Sequence, residues 1–262
     1  MNKIAIVTGG SSGIGLASVC ALRARGCTVY EFSRHGKPGD AYHVDCDVSD
    51  EQQFRAAVAH VAEKEGRIDI LVNNAGFGIS GAAEFTENEN AKRLLDVDLF
   101  GVVNGCRAVI PIMRAQGGGR IVNISSVAAP VSIPFQSWYS VAKAAVSSYT
   151  ESLRSELYPF GITLTAILPG DIRTGFTSAR EKSPVGDDIY SGRIARSVAV
   201  MEHDEQTGMA PTKAGQYIAK IACKPRVKPS YAVGLKYKFF AMIAKLLPAR
   251  GKCFIVRQLY AK

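Results

Sequence analysis

TGGSSGIG, residues 8–15, stands between the apolar run KIAIVT (3–8) and a helical pattern that begins near residue 14. The run is short and β-branched, so the loop joins a strand to a helix. Gly9, Gly13 and Gly15 permit backbone angles that other residues avoid, and they let a phosphate approach the chain closely. A helix N-terminus offers unpaired N–H groups and a positive dipole end to the same anion. The hydroxyls of Ser11 and Ser12 are further donors. The plainer reading is an ordinary Gly/Ser-rich loop, and the surrounding sequence has to separate the two.

Outward from the loop, short β-branched runs alternate with longer helical patterns. The predicted strands are 3–8, TVYEF (28–32), AYHVD (41–45), IDILVNN (68–74), RIVNIS (120–125) and ITLTAIL (162–168). Helices are predicted near 14–25, 50–65, 88–115 and 138–158, the last closed by Pro159 and Gly161. Such alternation implies βαβ units and a doubly wound, Rossmann-like α/β fold with a parallel sheet covered on both faces. From 171 to 212 periodicity weakens and charge rises, which reads as an inserted lid. Beyond it, 213–223 reads as a helix, SYAVG (230–234) as an edge strand and 236–247 as a helix ending at Pro248. The 262 residues are read as a single domain with a basic C-terminal extension, 213–262.

With 47% hydrophobic residues the chain can bury a substantial core, and it has no apolar run long enough to span a bilayer. Its six cysteines form no CxxC pair, which suits a reducing cytoplasm better than a disulfide framework or a zinc site. Asp45 and Asp47 flank Cys46 with no nearby histidine or further carboxylate, so no metal is expected. The net charge of +9 is concentrated at one end. From Gln206 to Lys262 there are twelve Lys or Arg and no Asp or Glu, which implies local contact with something anionic. No nucleic-acid partner is expected.

Tyr139 and Lys143 lie four residues apart, and Ser126 lies thirteen before the tyrosine. Positions i and i+4 share a helix face, so the lysine ammonium sits near the phenol and favours its ionised form. With TGGSSGIG, NNAG (73–76) after the fourth strand and PGDIRT (169–174) after the sixth, the chain resembles the short-chain dehydrogenases/reductases over residues 3–175. The resemblance implies that Tyr139 exchanges a proton with an alcohol or ketone, that Ser126 holds the substrate oxygen, and that Lys143 also binds a nicotinamide ribose. It implies a dinucleotide held by Gly9, Ser11, Ser12, Gly13, Ile14 and Gly15, with Asp47 and Val48 along the adenine. Asn74, Ala75 and Gly76 would line the cofactor with Pro169 and Gly170, and Ile172 and Thr174 would meet its carboxamide.

Two positions depart from, or choose within, the family pattern. Family members usually carry a catalytic Asn in a VNLxG segment; this chain reads VDLFG, so Asp98 takes that place and puts a carboxylate near the proton relay. NAD-preferring members place an acid at the end of the second strand. Here the position is Ser33, followed by Arg34, with His35 and Lys37 close by, which favours NADP(H) through forked bonds to the 2′-phosphate. Glu31 is the competing ribose ligand, and NAD(H) is the alternative.

Ile133, Pro134 and Phe135 are predicted to form one apolar wall of the substrate site, and Phe176, Ile194, Val198 and Met201 another. The tail resembles extensions of members acting on steroids, retinoids and other lipid-like alcohols. Within it Phe239, Phe240, Ile243, Leu246 and Leu247 share a helical face, with Lys238 and Lys245 on another. This helix is expected to rest on a membrane surface, cap the pocket or pack on the core. The expected activity is NADP(H)-dependent interconversion of a secondary alcohol and a ketone, with a hydroxysteroid or similar lipophilic substrate. The alternatives are a 3-oxoacyl-thioester reductase and a non-catalytic NADP-binding regulator. The helices at 88–115 and 138–158 resemble those through which the family forms dimers or tetramers, so a homo-oligomer is expected.

Overall fold

The computed structural model describes residues 2–36 and 40–261. Lys37 and the side chain of Lys245 lie outside the described residues. Strand β1 (Ile4–Thr8) leads into α1 (Gly13–Arg23), then β2 (Thr28–Ser33), β3 (His43–Asp45), α2 (Glu51–Glu65) and β4 (Ile70–Asn73). A short β5 (Ile79–Ser80), α3 (Asn88–Leu95), a π-helical turn (Asp96–Phe100) and α4 (Gly101–Ala115) precede β6 (Gly119–Ile124). There follow α5 (Ser137–Glu156), β7 (Ile162–Pro169), α6 (Phe176–Ala179), β8 (Glu181–Lys182) and α7 (Arg193–Gln206). The chain closes with α8 (Pro211–Ala222), β9 (Ser230–Val233), α9 (Leu235–Leu246) and α10 (Ala249–Tyr260).

The main sheet has seven parallel strands in the order β3-β2-β1-β4-β6-β7-β9. Alternation along β1 divides the core: Ile4 and Ile6 face one side, Ala5 and Val7 the other. On the first side Phe54, Val58 and Val61 of α2 pack with Val109 and Met113 of α4 and Val146 of α5. On the second, Val19 and Leu22 of α1 meet Ile218 and Ala219 of α8. Fully burying a side chain such as Phe54 or Leu22 contributes about 1.5–3 kcal/mol. Local chemistry sets the helix ends. Asp50 caps α2 by accepting from the N–H groups of Gln52 and Gln53, and Gly66 ends it in the left-handed conformation. Chain direction across the sheet reverses between β1 and β4, where parallel α/β sheets open a ligand crevice at their carboxyl ends.

The predicted strands all form, within a residue or two. Three features differ from the sequence reading. The helix expected over 88–115 contains the π-turn, whose wider hydrogen bonding leaves no mark in residue periodicity. The lid contains a regular helix, α7, and its strand β8 pairs with β5. The tail contains a second helix, α10, and its apolar residues do not share one covered face: Phe240 packs inward near Val131 and Val256, whereas Phe239 and Leu246 are exposed.

Candidate active site

The glycine loop carries the geometry a pyrophosphate needs. Gly9 and Gly13 have φ of 63° and 52°, and a Cβ on Gly15 would lie 2.1 Å from the Gly9 carbonyl oxygen. Ser12 caps α1 in extended conformation without a side-chain bond to the helix, so the first-turn N–H groups face the crevice unshielded. The NNAG segment is stitched to this loop: Asn74 and Ala75 donate backbone N–H groups to Thr8 Oγ1 at 2.9 and 3.0 Å. Asn74 Nδ2 donates to the Thr8 carbonyl at 3.0 Å. Thr174 lies against Gly13, while Ile172 is buried and bridged to Met209. The Pro169 carbonyl accepts from Val127 N–H at 3.0 Å, and Gly170 lies against the Tyr237 ring. Asp47 accepts from Ser49, and Val48 is buried against Gly101. These residues fit a dinucleotide: Gly9 and Gly13 adopt positive φ, Gly15 lets the helix pack tightly on the Gly9 carbonyl, and the first-turn N–H groups of α1 are left for an anion.

At the adenosine end Ser33 closes β2 and Arg34 is exposed, with no ion-pair partner among the described residues. Glu31 is buried and bonds through Oε2 to His43 Nδ1 at 2.5 Å, while His43 Nε2 contacts Asp45 at 2.9 Å. The acidic pair at 45 and 47 therefore does have a histidine, two residues before Asp45 on the same face of β3, and the β2–β3 register adds Glu31 to it. Burial pulls the His43 pKa down, but bonds to Asp45 and Glu31 outweigh it and raise the net value.

The residues expected to transfer the proton converge at the carboxyl end of β6 and the start of α5. Tyr139 is half-buried near Ser126, with its ring 5.7 Å from that of Phe176. Ser126 is held by Ala128 N–H at 3.1 Å. Lys143 Nζ lies 5.4 Å from the Tyr139 ring centroid and donates to the Ile124 carbonyl at 3.3 Å. Asp98 is completely buried and its Oδ2 pairs with Lys143 Nζ at 2.9 Å, while its Oδ1 accepts from Phe77 N–H at 2.9 Å. The π-turn carries Asp98 into this position, a common use of such turns at functional sites.

Burial raises the Tyr139 pKa; Lys143 and the nearby Ser126 hydroxyl oppose this, and Asp98 reinforces it. Burial works against the Lys143 ammonium, yet Asp98 and Tyr139 together hold its pKa above the ordinary value. Burial also pushes the Asp98 carboxyl up, against the pull of Lys143 and the Phe77 N–H. The arrangement is a tyrosine whose cationic neighbour is itself countered by a buried carboxylate.

Several supporting groups escaped the sequence reading. Asn73 Nδ2 donates to Asn123 Oδ1, and Asn123 Nδ2 to Thr150 Oγ1, each at 2.9 Å, forming a buried polar chain across β4, β6 and α5. Arg180 is buried and paired with Glu205, which also accepts from Thr177 at 2.6 Å, pinning α6 to α7. Both depend on contacts between residues far apart in sequence. Of the predicted walls, Phe135 and Ile194 are buried in one cluster with Ala82 and Ala261, Val198 packs against it, and Met201 is buried. Phe135 has φ of 58°, unusual for a bulky residue, and its carbonyl accepts from Gly81 N–H at 2.8 Å. A cavity of about 620 Å³ lined by Ser147, Glu151, Tyr217 and Met242 contains none of Asp98, Ser126, Tyr139 and Lys143.

The short chain dehydrogenase pattern matches residues 3–184. A 3-ketodihydrosphingosine reductase of Bacteroides thetaiotaomicron is 37% identical over 266 residues, spanning 99% of this chain and 98% of the relative. The crystal structure of a short-chain dehydrogenase from Streptomyces avermitilis superposes with a TM-score of 0.83 at 30% identity, covering 98% of this chain and 97% of the other. That of a 3-ketoacyl-(acyl-carrier-protein) reductase from Brucella melitensis complexed with NADH gives 0.74 at 28% identity, covering 88% and 96%.

Proposed function

This chain belongs to the short-chain dehydrogenase/reductase family, and on that premise we propose that it reduces lipophilic ketones with NADPH, using Tyr139 as the proton donor. It is an oxidoreductase acting on CH–OH groups and binding a nicotinamide cofactor. The observation carrying the reading is the Asp98–Lys143 pair beside Tyr139. Asp98 counters the lysine charge and favours a phenol that keeps its proton at neutral pH, as ketone reduction requires. Ser126 holds the carbonyl oxygen, Tyr139 gives it a proton, and Lys143 binds the ribose and stabilises the phenolate left behind. NADPH, when bound, supplies the hydride. The intact Ser126, Tyr139 and Lys143 set aside a purely regulatory role.

The apolar wall of Phe135, Ile194 and Ala261, with Phe176 on the tyrosine, favours an alkyl-rich substrate. The full-length similarity to a 3-ketodihydrosphingosine reductase makes a long-chain 3-ketone the first compound to assay, with steroid ketones next. NADPH oxidation followed by absorbance over a ketone panel tests this; turnover confined to short polar ketones would overturn the substrate class. A 3-oxoacyl-thioester reductase is the second reading, favoured by the twelve basic and no acidic residues from Gln206 onward, which suit an acidic carrier. Preference for a carrier thioester over the free ketone in the same assay would select it.

Arg34 supports NADP(H), because it is exposed beside Ser33 while Glu31 is engaged by His43. A hydrogen bond to a charged group contributes about 1.5–3 kcal/mol. Arg34→Ala should therefore weaken NADPH by roughly tenfold to a hundredfold and leave NADH nearly unchanged. Ser33→Asp should go further, since it repels the 2′-phosphate and offers the ribose an acceptor. Steady-state kinetics with both cofactors decide; a wild-type preference for NADH would return suspicion to Glu31.

A further inference from the structure

We propose that the C-terminal helices α9 and α10 form a docking surface for an anionic lipid bilayer, placed against one wall of the substrate site. This goes beyond the reading of the reaction; only its placement beside the substrate wall rests on that reading. Phe239, Met242 and Leu246 of α9 are 61%, 54% and 80% exposed, and their spacing sets them along one ridge of the helix. Phe254 and Leu259 of α10 are also more than half exposed. Lys236 and Lys238 flank the α9 ridge, and Arg250 and Arg257 lie exposed on α10.

The opposite sides of these helices are already anchored. The Tyr237 hydroxyl donates to Asp171, and Phe240 and Tyr260 pack with Val131 and Val256. Arg193 donates to the Ala261 carbonyl at 2.9 Å. The exposed apolar side chains are therefore surplus to the packing that holds the tail in place.

Charge identifies what covers them. From Gln206 onward every charged side chain is basic, and among the described residues none of these forms an ion pair with an acid. A second copy of the same face would bring like charges together, whereas an anionic bilayer takes up both the apolar ridge and the cations beside it. Among the described residues no helix is long and apolar enough to cross a membrane, so the helices would lie in the plane of the interface. Val131 belongs to the segment between Ser126 and Tyr139, and Ala261 packs with Phe135 and Ile194. The inner sides of the docked helices thus pack on the wall where an alkyl chain would enter, while their exposed ridge faces away from it.

The test is co-sedimentation of the full chain with phosphatidylcholine vesicles, with and without phosphatidylserine. Wild-type protein should bind the anionic vesicles at least about tenfold more tightly than neutral ones, and added salt should weaken that binding. Phe239→Ser with Leu246→Ser should lower it by about tenfold or more while the melting temperature and turnover of a small soluble ketone stay unchanged. Lys236→Gln with Lys238→Gln should reduce the preference for phosphatidylserine specifically. Failure of wild-type protein to sediment with anionic vesicles, or equal binding by the serine variant, overturns the proposal. So does light scattering that shows the serine variant losing subunits, because the face would then join copies of this chain. Sedimentation requires no turnover, so its failure and failure of the reductase reading are separable.

Discussion

Tyr139→Phe is expected to lower ketone turnover by about 10²–10⁴-fold while leaving the fold and cofactor affinity in place. The substitution removes one hydroxyl and nothing else. The ring keeps its contact with Phe176, centroids 5.7 Å apart, and Lys143 keeps its partners Asp98 and the Ile124 carbonyl. What disappears is the proton that must reach the carbonyl oxygen as hydride arrives. Water can supply that proton only without the positioning that Ser126 and Tyr139 provide, so the barrier rises by about 3–5 kcal/mol. The loss should fall on kcat, since the hydroxyl acts on developing charge more than on the bound ketone. NADPH binding followed by fluorescence should match wild type. Retention of wild-type turnover on a verified substrate would remove Tyr139 from its role.

How far the site could be read before the fold was known depends on where each residue's partner lies. TGGSSGIG, NNAG and PG each end a strand of the sheet, so strand–helix alternation alone brought Gly9, Asn74 and Gly170 to one edge. Tyr139 and Lys143 are helix neighbours, and spacing sufficed for them. Position 98 was legible as a departure from the family pattern, but not its consequence. The π-turn that delivers Asp98 to Lys143 is a change in hydrogen bonding without a change in residue pattern. Glu31 and His43 meet only through the β2–β3 register, and Arg180 and Glu205 only through lid packing. The tail shows the same limit: periodicity found apolar residues in α9, but which of them had a partner was settled by Val131 and Val256 elsewhere in the chain.

Asp98→Asn should move both pH limbs of the reaction to lower pH by about one unit, because a charge within a few ångströms shifts a neighbouring pKa by roughly 1–3 units. Alcohol oxidation needs Tyr139 without its proton, so its rate rises as pH passes the phenol pKa. Ketone reduction needs the proton present, so its rate falls above the same value. The Asp98 carboxylate raises that pKa and offsets the charge of Lys143 at 2.9 Å. The amide keeps the shape and its one oxygen can still accept from Phe77 N–H, but it carries no charge and turns its NH2 group toward Lys143. Lys143 then acts on the phenol uncountered, the phenolate forms more readily, and oxidation below the limb should gain about tenfold for each unit moved. Reduction should lose its high-pH range in step. Asp98→Ala goes further: both variants break the buried ion pair, which costs about 3–5 kcal/mol of stability, but Ala also removes the acceptor for Phe77 N–H. Profiles of kcat/KM against pH in both directions, with urea unfolding of both variants, separate the electrostatic role from the structural one. Coincident pH limbs for Asp98→Asn and wild type would mean that the carboxylate holds Lys143 in place without setting the proton affinity of Tyr139.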